Sequence, residues 1–360
     1  MADSAVVVQR TAICWQVVIA WTISGEICQK WLFKGTPISE EVNVLDILYV
    51  MDPMTTVSID KDTTFVFQLE AQRRGHRNFH CLATDLSMQD GRPFARCSRL
   101  SVARVRHRPF SLGEPISRSL DSFQCVLMRR DPPFDMAYIF ATYLLEAVRN
   151  TTFVMNRPQS LRDANEKLFA LRFTDLVPPS LVTGHADQIK AFLSEQGGQV
   201  VIKPLDGAGG EGVFLLSHGD QNLNAIIEAV TGHGRRYALV QRYIPEIRTH
   251  GDKRIIVVDG KPLGATARMP PAGELRGNIH VGGVCVASEL TPRDLEICRR
   301  LEPEFKNRGL YFVGLDVIGD YLTEVNVTSP TGVQEINALN GVCIEFNVLE
   351  LIEQRCAAAR

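Results

Sequence analysis

The chain has 360 residues, enough for two or three domains, and with 45% hydrophobic and 22% charged residues it has the composition of a globular protein. Its 39 basic and 41 acidic residues give a net charge of −2, which argues against nucleic acid as a partner. The nine cysteines form no C-x-x-C pair, so neither a zinc ribbon nor a disulfide framework is indicated. Free thiols in a reducing cytoplasm are expected.

Residues 1–43 differ in composition from the rest of the chain. The apolar stretch 11–23 is shorter than the roughly 20 residues that span a bilayer, so no membrane partner is predicted. We expect residues 1–43 to be an extension outside the folded protein, upstream of a start at Val42 or Val44.

From residue 44 short apolar strands alternate with helices. Strands are predicted at 44–53, 78–83, 121–129 and 151–156, and helices at 60–74, 135–149 and within 157–170, where Ser160 or Asp163 can cap. This order predicts a parallel α/β domain over residues 44–165, with ligands at the carboxyl ends of its strands. The turns at 52–53 and 131–133 lie at such ends.

After Pro178 the pattern changes to hairpin-like pairs of strands, which indicates a second domain over residues 166–360. Helices are predicted at 186–196, 222–232 and 292–309. The two halves together predict an α/β (α+β) protein.

Residues 207–212 read Gly-Ala-Gly-Gly-Glu-Gly, with Lys203 upstream. The G-x-G-x-x-G spacing does not indicate a dinucleotide fold, because a strand and not a helix follows. Two interpretations are left for this segment. It is either a hairpin that binds phosphate through its backbone and Lys203 or a plain turn, and on this segment alone the two are equally possible. Lys167 is a second candidate for phosphate, although taken alone it would be a surface residue.

Asp316, Glu324 and Asn326 lie on two strands of a predicted hairpin. Three oxygen donors on one sheet face suit Mg²⁺. Asp316 and Glu324 share a face only if the hairpin has an odd loop or a bulge. The alternative is a solvated strand face.

Arg254 precedes an apolar strand, Arg268 directly precedes a glycine-flanked stretch at 269–283 with few apolar residues, and Arg276 and Asn278 lie within that stretch. Such a stretch is typical of a lid, and the three arginines could stabilise a transferring phosphoryl group or an oxyanion.

The order of these motifs resembles bacterial-type glutathione synthetase of the ATP-grasp superfamily. The likeness covers most of the chain after residue 44, in these stretches: MDP at 51–53, LMRRDPPFD at 127–135, NRPQSLRDANEKLF at 156–169, IKPLDGAGGEGVF at 202–214, GDKR at 251–254, LRGN at 275–278 and VGLDVIGDYLTEVNVTSPTG at 313–332. It implies an N-terminal parallel-sheet pre-ATP-grasp domain followed by an ATP-grasp fold.

The resemblance also implies a reaction and its residues. ATP would phosphorylate the C-terminal carboxylate of γ-glutamylcysteine, and glycine would displace phosphate to give glutathione, with Mg²⁺ or, as a substitute, Mn²⁺, in a cytoplasmic homotetramer. The implied ATP site is Lys167, Lys203, Gly207, Gly209, Gly210, Gln241, Tyr243, Ile244 and Asp252. The implied metal ligands are Asp316, Glu324 and Asn326, the reacting-centre residues Arg254, Arg276 and Asn278, and the dipeptide site Arg129, Ser329 and Thr331.

The chain departs from the family pattern at residues 1–43, and at Val284-Cys285-Val286, where the family more often has a small and a basic residue. Two other hypotheses are another ATP-grasp carboxylate–amine ligase and a non-catalytic nucleotide-binding regulator. The presence of every metal-ligand candidate and of the lid arginine argues against the regulator.

Overall fold

The structure, a computed structural model, describes residues 44–271, 273 and 282–358. The predicted extension at 1–43 lies outside the described residues. So do Arg276 and Asn278 of the predicted lid.

A mixed eight-stranded sheet forms the N-terminal part. Its strands are β1 (Asp46–Val50), β2 (Arg77–Cys81), β3 (Leu86–Gln89), β4 (Arg92–Val102), β5 (Phe110–Leu112), β6 (Ile116–Ser119), β7 (Cys125–Met128) and β8 (Phe153–Met155). The main order is β3-β4-β2-β1-β7-β8, and β5 and β6 both pair with β4. The four predicted strands form the parallel part, β2-β1-β7-β8, as expected.

The antiparallel part, β3 to β6, was not predicted from the sequence. Its longest strand, β4, is antiparallel to β2 and alternates between buried and exposed residues along most of its length. That alternation is the pattern of a strand with one solvated face, and it was present in the sequence as a signal. The domain is therefore a mixed sheet and not a purely parallel one.

Three helices accompany this sheet: α1 (Thr63–Arg73), α2 (Met136–Glu146) and α3 (Pro158–Asp163). Asp62 and Asp135 cap α1 and α2 by accepting hydrogen bonds from the Phe65 and Tyr138 amides. The predicted capping of the third helix was wrong. Its N-cap is Arg157, with proline in the first turn, and Ser160 and Asp163 lie inside the helix.

A smaller antiparallel sheet follows, with the order β11-β10-β12-β9. Its strands are β9 (Ser180–Thr183), β10 (Gln199–Pro204), β11 (Phe214–Ser217) and β12 (Ala238–Arg242), and its helices are α4 (Ala186–Glu195) and α5 (Leu223–Thr231). One apolar cluster, including Ile189, Ile202 and Ile227, joins the helices to the sheet. The predicted hairpin around the glycine loop is β10–β11.

The last sheet is antiparallel, with the order β15-β14-β13-β16-β17. Its strands are β13 (Asp252–Val258), β14 (Lys261–Met269), β15 (Val284–Ser288), β16 (Phe312–Ile318) and β17 (Tyr321–Asn326). The helices around it are α6 (Ile247–His250), α7 (Pro292–Arg308), α8 (Val333–Asn340) and α9 (Ile344–Ala358). Thr291 and Asp294 form a capping box at the start of α7, and Gly309 ends it in a left-handed conformation.

The N-terminal sheet and the last sheet share their apolar cores. One cluster contains Val50 and Val126 of the first together with Ile255 and Leu315 of the second. Burial of this apolar surface holds the turns after β1 and β7 against the last sheet. Among the described residues, no helix has the length and apolarity needed to cross a membrane.

Asn156 links the same two sheets by hydrogen bonds. It follows β8 and is 4% exposed. Its amide nitrogen donates to the carbonyls of Phe312 and Val327, at 2.8 Å each. Its amide oxygen accepts from the backbone N–H groups of Tyr311 and Phe312, at 2.8 and 2.9 Å. One side chain therefore satisfies four buried backbone groups.

We predict that Asn156→Ala destabilises the protein by roughly 2–5 kcal/mol, because it leaves these backbone groups buried without partners. Chemical denaturation measures the change. Asn222→Ala is the control, since Asn222 is exposed and makes no capping hydrogen bond with its side chain. Equal unfolding midpoints for the two variants would contradict the role of Asn156.

Candidate active site

A cavity of about 1290 Å³ is lined by residues of the smaller sheet, the last sheet and the two N-terminal turns. Many of the residues singled out from the sequence line it: Lys203, Gly207, Gly209, Gly210, Gln241, Tyr243, Ile244, Asp252, Arg254, Asp316, Glu324, Asn326, Ser329 and Thr331. Lys167 and Arg129 are not in its lining. A large concave site with converging polar groups is the usual location of ligand binding.

The glycine loop between β10 and β11 forms one wall. Gly209 and Gly210 have φ angles of +66° and +85°, in the left-handed region that favours glycine. A Cβ at Gly207 would lie 2.7 Å from Pro204 Cγ and 3.0 Å from the carbonyl oxygen of Glu211. Only glycine fits this turn without displacing its neighbours.

The two candidate phosphate lysines have different contacts in the structure: Lys203 lies near Glu324, and Lys167 contacts the glycine loop. Lys203, on β10, is 8% exposed, and its Nζ lies 3.5 Å from Glu324 Oε1. Lys167 is buried, which excludes the interpretation as a surface residue, and it lies in a turn after α3 and not on a helix. Its Nζ donates to the Gly207 carbonyl at 2.6 Å and pairs with Glu166.

The acidic wall is the β16–β17 hairpin. Gly319 and Asp320 form a two-residue turn that pairs Ile318 with Tyr321. The register then shifts between Asp316 and Val317, so that Asp316 lies opposite Glu324. The bulge that the sequence required is therefore present. Glu324 and Asn326 follow two residues apart on the same face.

Asp316 is the centre of a buried charge network. Arg254 donates to its carboxylate from Nε at 2.6 Å and from Nη2 at 3.0 Å, and Arg268 Nη2 lies 3.0 Å away. Arg268 also pairs with Asp252, its neighbour across β13 and β14. Burial alone would raise the pKa of Asp316, but the charges of Arg254 and Arg268 outweigh it and lower the pKa below its usual range. Burial raises the pKa of Asp252 to about 7, against the opposing charge of Arg268.

Glu166 was not predicted as a site residue, and Arg268 was noted only as one of three arginines near the predicted lid. Arg268 is 5% exposed and lines the cavity, and Glu166 lines it beside Lys167. A signal for Arg268 was its charge directly after the run of small, mostly apolar residues at 264–267 near the end of β14, because a buried arginine there needs a buried anion. No comparable signal marks Glu166, whose turn is placed by a long-range hydrogen bond from the Val325 amide to the Glu166 carbonyl.

The donor set of the acidic wall fits a magnesium ion. It offers two carboxylates and an amide oxygen on one face, and Mg²⁺ completes such a set with water and phosphate oxygens. The three residues are not equally available. The side chain of Asp316 is 6% exposed and engaged by two arginines, whereas that of Glu324 is 22% exposed and pairs only with Lys203 among the described residues. Asn326 Nδ2 donates to Asp316 Oδ2 at 3.2 Å.

A less polar end of the cavity lies beside β12. Gln241 and Ile244 are buried there, and Tyr243 lies between them. The apolar lining around them comes from Val201, Phe214, Leu215, Ile247 and Ile318. A flat apolar ring suits such a slot better than a phosphate does.

Arg129 lies behind the cavity wall. Its Nε donates to Thr64 Oγ1 at 3.0 Å, its Nη2 donates to the Pro330 carbonyl at 3.1 Å, and its guanidinium stacks on Phe312. Its Nη1 is buried and has no hydrogen-bond partner. Burial lowers its pKa. Ser329 Oγ donates to the Arg129 carbonyl at 3.4 Å, so this arginine supports the loop that contains Ser329 and Thr331.

Comparisons with known proteins identify the family of this site. Residues 45–162 match the family model described as the N-terminal domain of prokaryotic glutathione synthetase, and residues 166–341 match that of its ATP-grasp domain. The glutathione synthetase of Brucella melitensis is 45% identical over 311 residues, which are 86% of this chain and 99% of the relative. That of Shewanella oneidensis is 47% identical over 308 residues, 85% of this chain and 97% of the relative.

Solved structures agree on the fold. D-cycloserine synthetase DcsG has a TM-score of 0.60 at 15% identity, covering 87% of this chain and 100% of that one. The ATP-grasp ligase PsnB, complexed with its minimal precursor, has a TM-score of 0.56 at 17% identity and covers 87% and 99%. At these identities the likeness shows an ATP-grasp fold and nothing about substrates. By its two matched domains and its close sequence relatives, the chain belongs to the prokaryotic glutathione synthetase family of ATP-grasp ligases.

Proposed function

We propose that this protein joins γ-glutamylcysteine to glycine at the expense of ATP, giving glutathione, ADP and phosphate through an acyl-phosphate intermediate. The observation that carries the proposal is the convergence, in one cavity, of a glycine loop with a lysine, an acidic wall and buried arginines. These are the parts needed to transfer a phosphoryl group and then displace it from an acyl carbon. The relatives that share both domains are named glutathione synthetases.

ATP binds along the glycine loop in this proposal. The backbone at Gly209 and Gly210 approaches the phosphates, and Lys203 and Lys167 neutralise their charge. The base occupies the apolar slot beside Gln241, Tyr243 and Ile244, and Asp252 meets the ribose.

Asp316, Glu324 and Asn326 would hold Mg²⁺, or Mn²⁺ in its place, which when bound would neutralise phosphate charge. Of the two carboxylates, Glu324 has fewer ion pairs with described residues than Asp316 has. Lys203 Nζ lies 3.5 Å from Glu324 Oε1, so the proposed phosphate and metal sites are neighbours.

Arg254 stabilises the negative charge that forms at the reacting carbonyl. Its guanidinium is fixed before any ligand arrives, by the Asp316 carboxylate and by the Thr331 carbonyl at 3.0 Å from Nη1. A fixed donor needs no reorganisation when charge develops, so it stabilises the transition state more than the ground state. Arg276 and Asn278 act with it from the lid at 269–283, which excludes the water that would hydrolyse an acyl phosphate.

The dipeptide lies beyond Arg254, against Ser329 and Thr331. Arg129 acts there by supporting the loop from behind. We further propose that residues 44–165 and 166–360 are the two domains, that the enzyme works in the cytoplasm, and that it assembles as a homotetramer.

The direct test is phosphate release from ATP with purified protein, γ-glutamylcysteine and Mg²⁺. We expect release to depend on both γ-glutamylcysteine and glycine, with glutathione formed in equal amount. Release that is independent of glycine, or ligation of a different acceptor at a higher rate, would contradict the proposal.

We predict that Glu324→Gln lowers turnover sharply and raises the Mg²⁺ concentration for half-maximal rate, because an anionic oxygen donor is lost. Steady-state rates across a magnesium titration measure both effects. Glu228→Gln is the control, since Glu228 is exposed on α5 and remote from the lining residues. A normal magnesium profile for Glu324→Gln would refute the assignment of the metal wall.

We also predict that Gly209→Val raises the KM for ATP. A β-branched residue at a φ of +66° is strained and would hold the backbone away from phosphate oxygens. Gly219→Val is the matched control, because Gly219 has a φ of +84°, open space around its Cβ position and no part in the cavity. If both variants bind ATP equally well, the loop is only a turn.

A further inference from the structure

One end of the cavity has charged side chains that no step of the proposed reaction uses. Its lining comes from the turns after β1 and β7 and includes Ser58, Lys61, Asp62 and Asp131. The two turns are tied together, because the Asp131 amide donates to the Asp52 carboxylate at 2.8 Å. These groups sit at the carboxyl ends of parallel strands, where α/β sheets bind ligands.

A series of hydrogen bonds places this end next to the reacting centre. Arg254 donates to the Thr331 carbonyl, and two residues later the Val333 amide donates to Thr63 Oγ1 at 3.5 Å. Gln334 Nε2 donates to the Asp62 carbonyl at 2.7 Å. Asp62 is therefore joined to Arg254 through the single loop that contains Thr331, Val333 and Gln334.

The charged groups at this end have unused capacity. Asp62 Oδ1 accepts from the Phe65 amide at 2.7 Å, but no ion pair between described residues includes Asp62, Asp131 or Lys61. Behind them Arg129, itself 4% exposed, has an Nη1 without a hydrogen-bond partner. Burial raises the pKa of Asp62, and the Phe65 amide and the Arg129 charge oppose that rise. A cation placed in the cavity would favour the charged carboxylate.

The proposed dipeptide has a group of matching charge. Its γ-linkage leaves both the α-ammonium and the α-carboxylate of the glutamyl residue free, at the end opposite the carboxylate that reacts. In a dipeptide joined through the α-carboxylate, the free ammonium and the free carboxylate of the glutamyl residue are on different carbons, so the spacing of the two charges differs. Two carboxylates beside one lysine can pair with both charges of an α-amino-acid head group, the carboxylates with its ammonium and the lysine with its carboxylate.

We propose that Asp62 and Asp131 bind the α-ammonium of the γ-glutamyl head group and that Lys61 binds its α-carboxylate, so that this end of the cavity selects γ-linked dipeptides. This inference rests on the proposed function. Asp62 is the principal determinant, because it is the more buried of the two acids and a charged hydrogen bond is stronger where water is excluded.

The test compares kcat/KM for γ-glutamylcysteine and for glutarylcysteine, which lacks only the α-ammonium. We expect Asp62→Asn to lower kcat/KM for γ-glutamylcysteine by roughly 10–100-fold, mainly through KM, and to leave glutarylcysteine and the KM for ATP unchanged. Asparagine keeps the helix cap at this position, so the fold of α1 is retained. Asp135→Asn is the matched control, since Asp135 caps α2 in the same way and does not line the cavity.

Two further variants keep the inference falsifiable if Asp62→Asn folds poorly. Asp131→Asn should also narrow the preference for γ-glutamylcysteine over glutarylcysteine. Lys61→Gln should narrow the preference over 4-aminobutyrylcysteine, which lacks only the α-carboxylate.

The possible outcomes separate the two proposals. If the unmodified enzyme makes glutathione but every variant keeps the original substrate ratios, the head-group site is wrong and the proposed function stands. If the unmodified enzyme releases no phosphate with γ-glutamylcysteine and glycine, the proposed function fails and the head-group site fails with it. The inference is supported if the ratio of kcat/KM for γ-glutamylcysteine to kcat/KM for the truncated analogue falls only in the variants at 61, 62 and 131.

Discussion

The buried ion cluster at Asp316 is the interaction on which the site depends. Its carboxylate on β16 is held by Arg254 on β13 and by Arg268 on β14, so three adjacent strands contribute charges to one point in the sheet. Removing Asp316 would leave Arg254 without its carboxylate partner, and removing Arg268 would leave Asp252 without its arginine. Losses of this kind are among the most destabilising in proteins. The same three strands provide Asp252, Arg254, Arg268 and Asp316 to the lining of the cavity.

The packing around the cluster shows why these strands must meet closely. A Cβ at Gly314, on β16 opposite Ile256, would lie 2.8 Å from Pro330 Cβ and 3.2 Å from Arg254 Cδ. Glycine there lets the loop at 328–332 approach the sheet, and the Thr331 carbonyl then accepts from Arg254. The loop continues to the turn at 59–63 through Gln334 and Val333. The reacting centre and the N-terminal turns thus share one connected hydrogen-bond network.

Electrostatics divides the cavity into three parts with different tasks. Near the glycine loop, Lys203 and Lys167 are paired with Glu324 and Glu166, and an incoming phosphate has to compete with those carboxylates for the lysines. In the middle, the arginines are fixed and cannot follow a ligand. At the turns after β1 and β7, Asp62 and Lys61 have no ion pairs with other described residues. The degree of internal pairing decides which groups are free to respond to a substrate.

The sequence by itself determined the parallel strands, the positions of the helices, the glycine hairpin and the need for a bulge opposite Glu324, because these follow from local spacing and the alternation of faces along a strand. Only the tertiary structure decided which charged side chains are buried and which of them pair with one another. Contacts between residues far apart in the chain decide three features of the site. They place Arg129 behind the cavity wall, bury Lys167 against Gly207, and let Arg268 pair with both Asp252 and Asp316. Local patterns fix the direction of a side chain, whereas its burial and its partner are set by whichever distant strand packs against it.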